Sequence, residues 1–304
     1  MNLVGSPFNP QIESICQRSP RGPLPGRLGP TQYDRVMAIP LPSTENCAVV
    51  TGASQGIGES LAAELASRGY NLITVARRRD VLERNAASLK EKFGVSVEVR
   101  AIDLADRAKR TELSEELASR DIAILCNNAG IATFGPVSKL DPDYERFVVE
   151  LNAVAVHDLT LAVLPGMLER GAGGILITGS AAGNMPIPNN ATYAATKAFT
   201  NSFSESLRGE LKGSGVHVTL LAPGPVRTDM PPVEEQSVVE RVVPDFFWVS
   251  GEYTARLSLD ALARNKMRVV PGPLSKAMSV AGGYTPRAVV APIVGSFYKK
   301  LGAE

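Results

Sequence analysis

The sequence predicts an α/β fold: a single doubly wound parallel sheet with helices packed on both faces. Short, nearly uninterrupted apolar runs recur from Cys47 onward, and longer segments with apolar residues at helical spacing separate them. Strands buried on both faces have such continuous runs, and consecutive parallel strands need a crossover as long as a helix. A glycine-rich turn after the first run is typical of the same architecture.

Six apolar runs predict the main strands of this sheet. Each has the length expected of a buried strand. The segments between them carry the helical pattern, as Ile57, Leu61 and Leu65 do after the first run. The predicted strands are Cys47–Val50, Leu72–Val75, Val95–Ile102, Ile122–Cys126, Gly174–Thr178 and Val216–Leu221.

The two ends of the chain differ from this regular part. Residues 1–44 hold eight of the 22 prolines, and proline interrupts both helices and strand ladders. We therefore expect a disordered N-terminal tail, with Met37 as a candidate start of translation, and one domain over residues 45–304. Near the other end, the pattern predicts a short strand at Met267–Val270 and then a terminal helical extension.

The composition argues against several classes of protein. Lys and Arg total 32 against 31 Asp and Glu, so the net charge is +1. The excess of positive charge that is typical of nucleic-acid-binding proteins is therefore absent from the composition. Mean hydropathy is +0.01, and no apolar run approaches the length of a membrane span, so we expect no transmembrane segment. Three widely spaced cysteines and two histidines argue against a disulfide framework and a bound metal, and favour the cytoplasm.

A glycine-rich turn connects the first predicted strand to the next helix. The segment Thr51–Gly58 reads T-G-A-S-Q-G-I-G, with the spacing G-x3-G-x-G. Glycine permits a tight turn and lets a diphosphate approach the backbone, while the positive end of the following helix attracts the anion. This turn predicts a dinucleotide site formed by Gly52, Ser54, Gln55, Gly56, Ile57 and Gly58.

The end of the second predicted strand indicates which dinucleotide binds. Dehydrogenases that prefer NAD place an acidic residue there for the ribose hydroxyls. In this chain Arg77, Arg78 and Arg79 follow the strand, and guanidinium groups pair with the 2′-phosphate of NADP. We predict NADP (NADPH) as the cofactor, with Arg77 as the first candidate contact and Arg78 as the second.

Polar residues follow the later strands, at the sheet edge where ligands bind in open parallel sheets. Asn127–Gly130 and Ser180 each follow a strand, and Tyr193 and Lys197 are four residues apart on one helix face. A lysine cation one turn away favours the tyrosine phenolate, so that the tyrosine can exchange protons near neutral pH. The serine hydroxyl can then hold the substrate oxygen while the tyrosine gives or takes the proton.

Together these motifs resemble the short-chain dehydrogenase/reductase family over residues 45–304. The resemblance implies a Rossmann-type fold and a substrate lid over residues 228–255. The V-P-G step and the helix after it are similar to the subgroup of DltE-like oxidoreductases and 3-ketoacyl reductases. The catalytic residues implied are Asn152, Ser180, Tyr193 and Lys197. Further cofactor contacts implied are Asp103, Leu104, Asn128, Ala129, Gly130, Tyr193, Lys197, Pro223, Gly224, Val226 and Thr228.

The expected function is NADP-dependent reduction of a ketone or 3-oxoacyl group, or oxidation of the matching secondary alcohol, with Tyr193 as general acid or base. The expected substrate is a small carbonyl or alcohol compound, with acyl or lipid-like compounds as one class. One alternative is a non-catalytic NADP-binding sensor, against which the complete tetrad argues. A second is an epimerase or dehydratase, which usually starts with a different glycine spacing.

The predicted helices at about 143–170 and 191–213 carry more apolar positions than one sheet face covers. In the family such helices often pair between subunits. We therefore expect a homodimer or homotetramer with a two-fold interface.

Overall fold

The computed structural model describes residues 39–224, 226–227, 248–272 and 276. The chain divides into two compact units, Met1–Met37 and Ala38–Glu304, and all described residues belong to the second. The predicted tail up to residue 38, most of the predicted lid and nearly all of the terminal extension lie outside the described residues.

The described residues form nine strands, which are β1 Cys47–Thr51, β2 Asn71–Ala76, β3 Val97–Ala101, β4 Ile122–Asn127, β5 Gly173–Thr178, β6 Val216–Leu221, β7 Val226–Arg227, β8 Val249–Ser250 and β9 Arg268–Val269. Seven of them pair in parallel in the order β3-β2-β1-β4-β5-β6-β9, and β7 pairs with β8. The chain runs outward from β1 to β3, then returns and runs outward from β4 to β9. The predicted doubly wound parallel sheet is confirmed.

Helices cover both faces of this sheet. They are α1 Gly56–Ser67, α2 Arg79–Phe93, α3 Arg107–Ala118, α4 Pro142–Val149, α5 Ala155–Arg170, α6 Ala191–Glu210 and α7 Gly251–Ala263. A π-helical turn, Glu150–Val154, joins α4 to α5 without a break. Local signals set several of the helix ends. Asp106, for example, accepts hydrogen bonds from the N–H groups of Ala108 and Lys109 at the start of α3.

The hydrophobic core has two layers, one on each face of the sheet. Along β1, Ala48 and Val50 belong to the layer with α1, α2 and α7, whereas Cys47 and Val49 belong to the layer with α3, α5 and α6. Successive side chains of a strand point to opposite faces. A strand that is buried on both faces therefore has the continuous apolar run seen in the sequence.

The folded domain begins earlier than the predicted boundary at residue 45. Ile39 is buried in the first of these core layers. The hydroxyl of Tyr70 donates a hydrogen bond to the carbonyl oxygen of Pro40 (2.8 Å), and the side-chain amide of Asn46 donates to that of Leu41 (2.8 Å). The high proline content of this segment excludes a helix or a central strand, but it does not prevent an extended chain from packing on the domain.

In the described part of the chain, one helical stretch passes a test for membrane spans by length and composition alone. It is Pro142–Arg170, with 29 residues and a mean hydropathy of 1.7, and half of its most apolar window is buried inside the fold. Core helices pass the same test, and this one packs on the sheet through Leu159, Val163 and Met167. The expected absence of a transmembrane segment stays a prediction.

Candidate active site

The glycine-rich turn lies at the carboxyl end of β1, where the strand order reverses. Gly52 and Gly56 have positive φ angles of 69° and 66°, which residues with a side chain rarely adopt. A Cβ on Gly58 would lie 2.2 Å from the carbonyl oxygen of Gly52, so glycine is needed for α1 to approach the turn. The side chain of Gln55 makes no capping hydrogen bond at the start of α1. The first N–H groups of α1 and this open turn therefore fit a diphosphate.

Arg78, rather than Arg77, reaches this turn. The guanidinium of Arg78 donates to the hydroxyl of Ser54 (3.2 Å) and to the side-chain oxygen of Gln55. The guanidinium carbon of Arg77 lies 5.6 Å from the centre of the Phe147 ring, on α4. Arg77, although it directly follows β2, turns toward α4, whereas Arg78 turns toward the glycine turn. The assignment of a 2′-phosphate contact to either arginine stays a prediction.

Hydrogen bonds tie the ends of β1, β4 and β5 together beside the turn. The hydroxyl of Thr51 accepts from the backbone N–H groups of Asn128 (2.9 Å) and Ala129 (3.0 Å). The side-chain amide of Asn128 donates to the carbonyl oxygen of Thr51 (3.1 Å), and its oxygen accepts from the hydroxyl of Thr178 (3.4 Å). This network fixes the predicted Asn128–Gly130 segment between the glycine turn and the reacting centre.

The predicted adenine contacts, Asp103 and Leu104, follow β3 at the same edge. The carboxylate of Asp103 accepts from the backbone N–H two residues on (3.0 Å), and Leu104 is buried. Arg110, also buried, donates to the carbonyl oxygen of Leu104 (2.8 Å) and pairs with Glu150 (2.9 Å) and Asp158 (2.7 Å). The loop after β3 is thereby anchored to the helical stretch that carries the reacting centre.

Lys197 is buried at the centre of the site, on α6. Its Nζ donates to the carbonyl oxygen of Thr178 (2.8 Å) and lies 5.7 Å from the centre of the Tyr193 ring. A Cβ on Gly130 would lie 3.1 Å from the Oδ1 of Asn152 and 3.4 Å from the Nζ of Lys197. The structure thus gathers three predicted catalytic side chains around the turn that follows β4.

Burial lowers the pKa of Lys197 from 10.5 to about 8, because the charged amine is removed from water. At neutral pH this amine is therefore still mostly protonated. A buried cation at this position favours the phenolate form of Tyr193 one turn earlier on the same helix. That is the property that proton exchange by a tyrosine requires.

Asn152 lies in the π-helical turn and is fully buried. Its side-chain oxygen accepts from the backbone N–H of Ile131 (3.0 Å), and its nitrogen donates to the carbonyl oxygen of Ile131 (2.8 Å) and to the hydroxyl of Thr196 (3.1 Å). The amide therefore holds the loop after β4 against α6. A π-helical turn inside an α-helix frequently marks a functional site.

Ser180 and Tyr193 complete the predicted tetrad, and both are partly exposed. Ser180 follows β5 and caps the short 3-10 helix Ala181–Asn184. Its Oγ accepts a hydrogen bond from the backbone N–H of Ala182 (3.1 Å), which leaves the hydroxyl proton for donation to a substrate oxygen.

The remaining predicted cofactor residues follow the last long strand of the sheet. Pro223 and Gly224 come after β6, and Val226 lies in β7, opposite Val249 of β8. Thr228 and residues 228–247 of the predicted lid lie outside the described residues. Within the described ranges, no three His, Cys, Asp or Glu side chains are grouped as metal ligands.

The residues that support the reacting groups were not predicted from the sequence. Thr178 holds the amine of Lys197 through its carbonyl oxygen, Thr196 binds the amide of Asn152, and Asn201 binds the backbone of Ser180. Two of the three lie within one helical turn of Lys197. Their spacing on α6 was therefore the available signal, but the partner that each would find depends on the tertiary fold.

Comparison with known proteins assigns this site to a family. The family model for short chain dehydrogenases matches residues 46–237, a range that includes the glycine turn and all four predicted catalytic residues. The chain belongs to the short-chain dehydrogenase family. The predicted family and fold are therefore confirmed.

Several curated short-chain dehydrogenases are similar to this chain. The very-long-chain 3-oxoacyl-CoA reductase of Homo sapiens is 34% identical over 220 residues, which span 71% of this chain and 70% of the relative. The Bos taurus enzyme of the same name is 39% identical over 187 residues, which span 60% of each chain.

Solved structures of short-chain dehydrogenases are also similar to this chain. A short-chain dehydrogenase from Sphingobium yanoikuyae in complex with NADPH has a TM-score of 0.70 and 30% identity, and covers 78% of this chain and 92% of its own. The L-sorbose reductase of Gluconobacter frateurii, complexed with NADPH and L-sorbose, has a TM-score of 0.66 and 29% identity, and covers 76% and 97%. This short-chain dehydrogenase is an NAD(P)-dependent oxidoreductase acting on C=O or CH–OH groups, as predicted.

Proposed function

We propose that the protein reduces 3-oxoacyl thioesters with NADPH, and that Asn152, Ser180, Tyr193 and Lys197 form its catalytic site. The observation that carries the proposal is the buried amine of Lys197. It lies against the end of β5, beside Gly130 and Asn152, and one helical turn from Tyr193. A cation in this position favours the tyrosine phenolate and thus prepares a general acid.

The glycine turn and the arginines after β2 would hold the cofactor. Gly52 and Gly56 open the turn, and the N–H groups at the start of α1 would donate hydrogen bonds to the diphosphate. Arg78, beside Ser54, would pair with the 2′-phosphate. When bound, the nicotinamide supplies the hydride.

The chain's own groups then orient the carbonyl and move one proton. The hydroxyl of Ser180 donates a hydrogen bond to the substrate oxygen and polarises the C=O bond. Tyr193 donates its proton to the same oxygen as negative charge develops there. The ammonium of Lys197 stabilises the phenolate that remains, and Thr178 keeps the ammonium in place through its carbonyl oxygen.

The substrate class rests on the relatives. Two curated 3-oxoacyl-CoA reductases are 34% and 39% identical to this chain, over 71% and 60% of its length. A 3-oxoacyl thioester carries the ketone that this site would reduce.

The test measures NADPH oxidation by the purified protein with a panel of carbonyl compounds. The panel contains 3-oxoacyl-CoA thioesters of short and very long chain, simple bulky ketones and L-sorbose. We expect the highest kcat/KM with a 3-oxoacyl-CoA, and turnover at least about 100-fold lower in the Tyr193→Phe variant. A preference for L-sorbose or for simple ketones would contradict the proposed substrate class. Binding of NADPH without its oxidation by any compound of the panel would favour the non-catalytic NADP-binding sensor.

We also propose that the protein acts as a homodimer or homotetramer. The helices from Pro142 to Arg170 and α6 expose large apolar side chains, with Val149, Leu161 and Phe199 each 40–50% exposed. The ring of Phe199 stacks on that of Phe203 at 5.6 Å, so this surface presents aromatic side chains to a partner. Pairing these helices across a two-fold axis would bury the exposed side chains.

A cytoplasmic location stays a prediction. Its basis is the small number and wide spacing of the three cysteines in the sequence. Fractionation of cells that express the full chain, with alkaline extraction of the membrane fraction, would separate a cytoplasmic protein from a membrane-bound one.

A further inference from the structure

Asn201 occupies the space between two glycines that flank the catalytic serine. A Cβ on Gly179 would lie 2.1 Å from the side-chain oxygen of Asn201, and a Cβ on Gly183 would lie 2.6 Å from its side-chain nitrogen. Any larger residue at either position would therefore collide with the amide. The G-S-A-A-G segment that contains Ser180 therefore packs closely against the side chain of Asn201 on α6.

The amide of Asn201 binds both backbone groups of the catalytic serine. Its nitrogen donates to the carbonyl oxygen of Ser180 (2.9 Å), and its oxygen accepts from the backbone N–H of Ser180 in a longer contact (3.4 Å). Asn201 is 4% exposed, and it lies one helical turn after Lys197. Buried polar groups are stabilised when they are paired in this way, and such paired groups rigidify their surroundings.

The same side-chain amide has a second partner in the serine loop. The nitrogen of Asn201 also donates to the side-chain oxygen of Asn184 (3.1 Å), at the end of the 3-10 helix that Ser180 begins. Arg268, in β9, donates to the same oxygen (3.3 Å) and pairs with Glu205 on α6 (3.0 Å). The serine loop is thus connected to α6 through Asn201, and to the last strand of the sheet through Asn184 and Arg268.

We propose that Asn201 is the positioning residue for Ser180: it fixes the serine backbone relative to α6, which carries Tyr193 and Lys197. The inference rests on the proposed function, because it assigns a role in the same reaction. Asn201 touches neither substrate nor cofactor in this scheme. It sets where the Ser180 hydroxyl meets the substrate oxygen, and an ångström of misplacement at such a group can cost about 100-fold in rate.

The test is a double-mutant cycle in kcat between Asn201→Ala and Ser180→Ala, with NADPH and a 3-oxoacyl-CoA as substrates. We expect Asn201→Ala alone to lower kcat by roughly 10- to 100-fold. In the Ser180→Ala background the same change should cost less than about 3-fold, because residues that act as one unit are not additive. NADPH affinity should stay within about 3-fold, since the cofactor turn is on β1.

Ser204→Ala is the matched control. Ser204 is as buried as Asn201 and lies three residues later on α6, but its hydroxyl has no hydrogen-bond partner among the described residues. This variant should keep the wild-type kcat. If Asn201→Ala does not fold, Asn201→Asp takes its place in the cycle: the carboxylate keeps the shape and the acceptor but removes the donor to Ser180.

Two results would overturn the inference, and they are distinguishable. If Ser180→Ala lowers kcat but Asn201→Ala does not, or if the two losses are additive, Asn201 has a structural role only. If Ser180→Ala itself keeps the wild-type kcat, the proposed function of the serine fails, and the role of Asn201 fails with it.

Discussion

Lys197→Met tests the electrostatic basis of the site through the stability of the protein. The amine of Lys197 is 4% exposed, and burial holds its pKa at about 8 instead of 10.5. The folded protein therefore bears a free-energy cost for keeping this group charged. Methionine removes the charge with little change in side-chain length. It also removes the hydrogen bond to the carbonyl oxygen of Thr178, a loss that does not depend on pH.

The pKa of Lys197 in the folded protein and its ordinary value in the unfolded chain set the magnitude and the sign of the expected effect on stability. At about pH 7 the amine is mostly charged in both states, and the shift costs about 3 kcal/mol of folding free energy. Between pH 8 and 10.5 the unfolded chain binds more protons than the folded one, so stability rises with pH. At about pH 9.5 the remaining cost is roughly 1 kcal/mol. The variant-minus-wild-type difference in unfolding free energy should therefore fall by about 2 kcal/mol over this range.

Denaturant unfolding of both proteins without added NADPH, at intervals across this pH range, measures that difference. Lys212→Met is the control for the loss of a lysine charge, because Lys212 is exposed just after α6. A constant difference between Lys197→Met and wild type across the range would refute the reasoning, because the folded protein would then not penalise the charge of Lys197.

Three further predictions follow from the cofactor turn, the tail and the helix surface. Arg78→Ala should weaken NADPH binding more than Arg77→Ala, and the double variant should lose roughly 10- to 150-fold, the value of a charge-assisted phosphate contact, with NADH binding unchanged. Equal weakening of both cofactors in titrations would show that neither arginine binds the phosphate. Deletion of residues 1–36 should leave the melting temperature and kcat nearly unchanged, because the six prolines of this segment disfavour helices and strands; a fall of several degrees would mean that the tail packs on the domain. Light scattering at micromolar concentration should give a dimeric or tetrameric mass, and a monomeric mass would contradict the proposed interface.

The fold was predictable from the sequence because buried parallel strands leave a continuous apolar signal. Each of the six predicted main strands lies within two residues of its observed bounds, as for Val95–Ile102 and the observed Val97–Ala101. The glycine turn was equally visible, since Gly52 and Gly56 adopt backbone angles that other residues avoid. These features depend on local sequence alone.

Contacts that depend on side-chain direction were not predictable in the same way. The sequence places Arg77 and Arg78 side by side, but the tertiary fold turns one toward Phe147 and the other toward Ser54. Asn201 shows the same limit: its spacing from Lys197 places it on the right face of α6. Its partners, however, come from a loop that begins more than 20 residues earlier.

The most direct test of the central claim is the rate of NADPH oxidation with a 3-oxoacyl-CoA, compared between the wild type and Tyr193→Phe. Phenylalanine keeps the ring beside Lys197 and removes the proton that the reaction needs. We predict that turnover falls by about 10²- to 10⁴-fold, the usual contribution of a general acid, while NADPH affinity stays within about 3-fold. A variant that keeps more than about a tenth of the wild-type rate would contradict the assignment of Tyr193 as the proton donor.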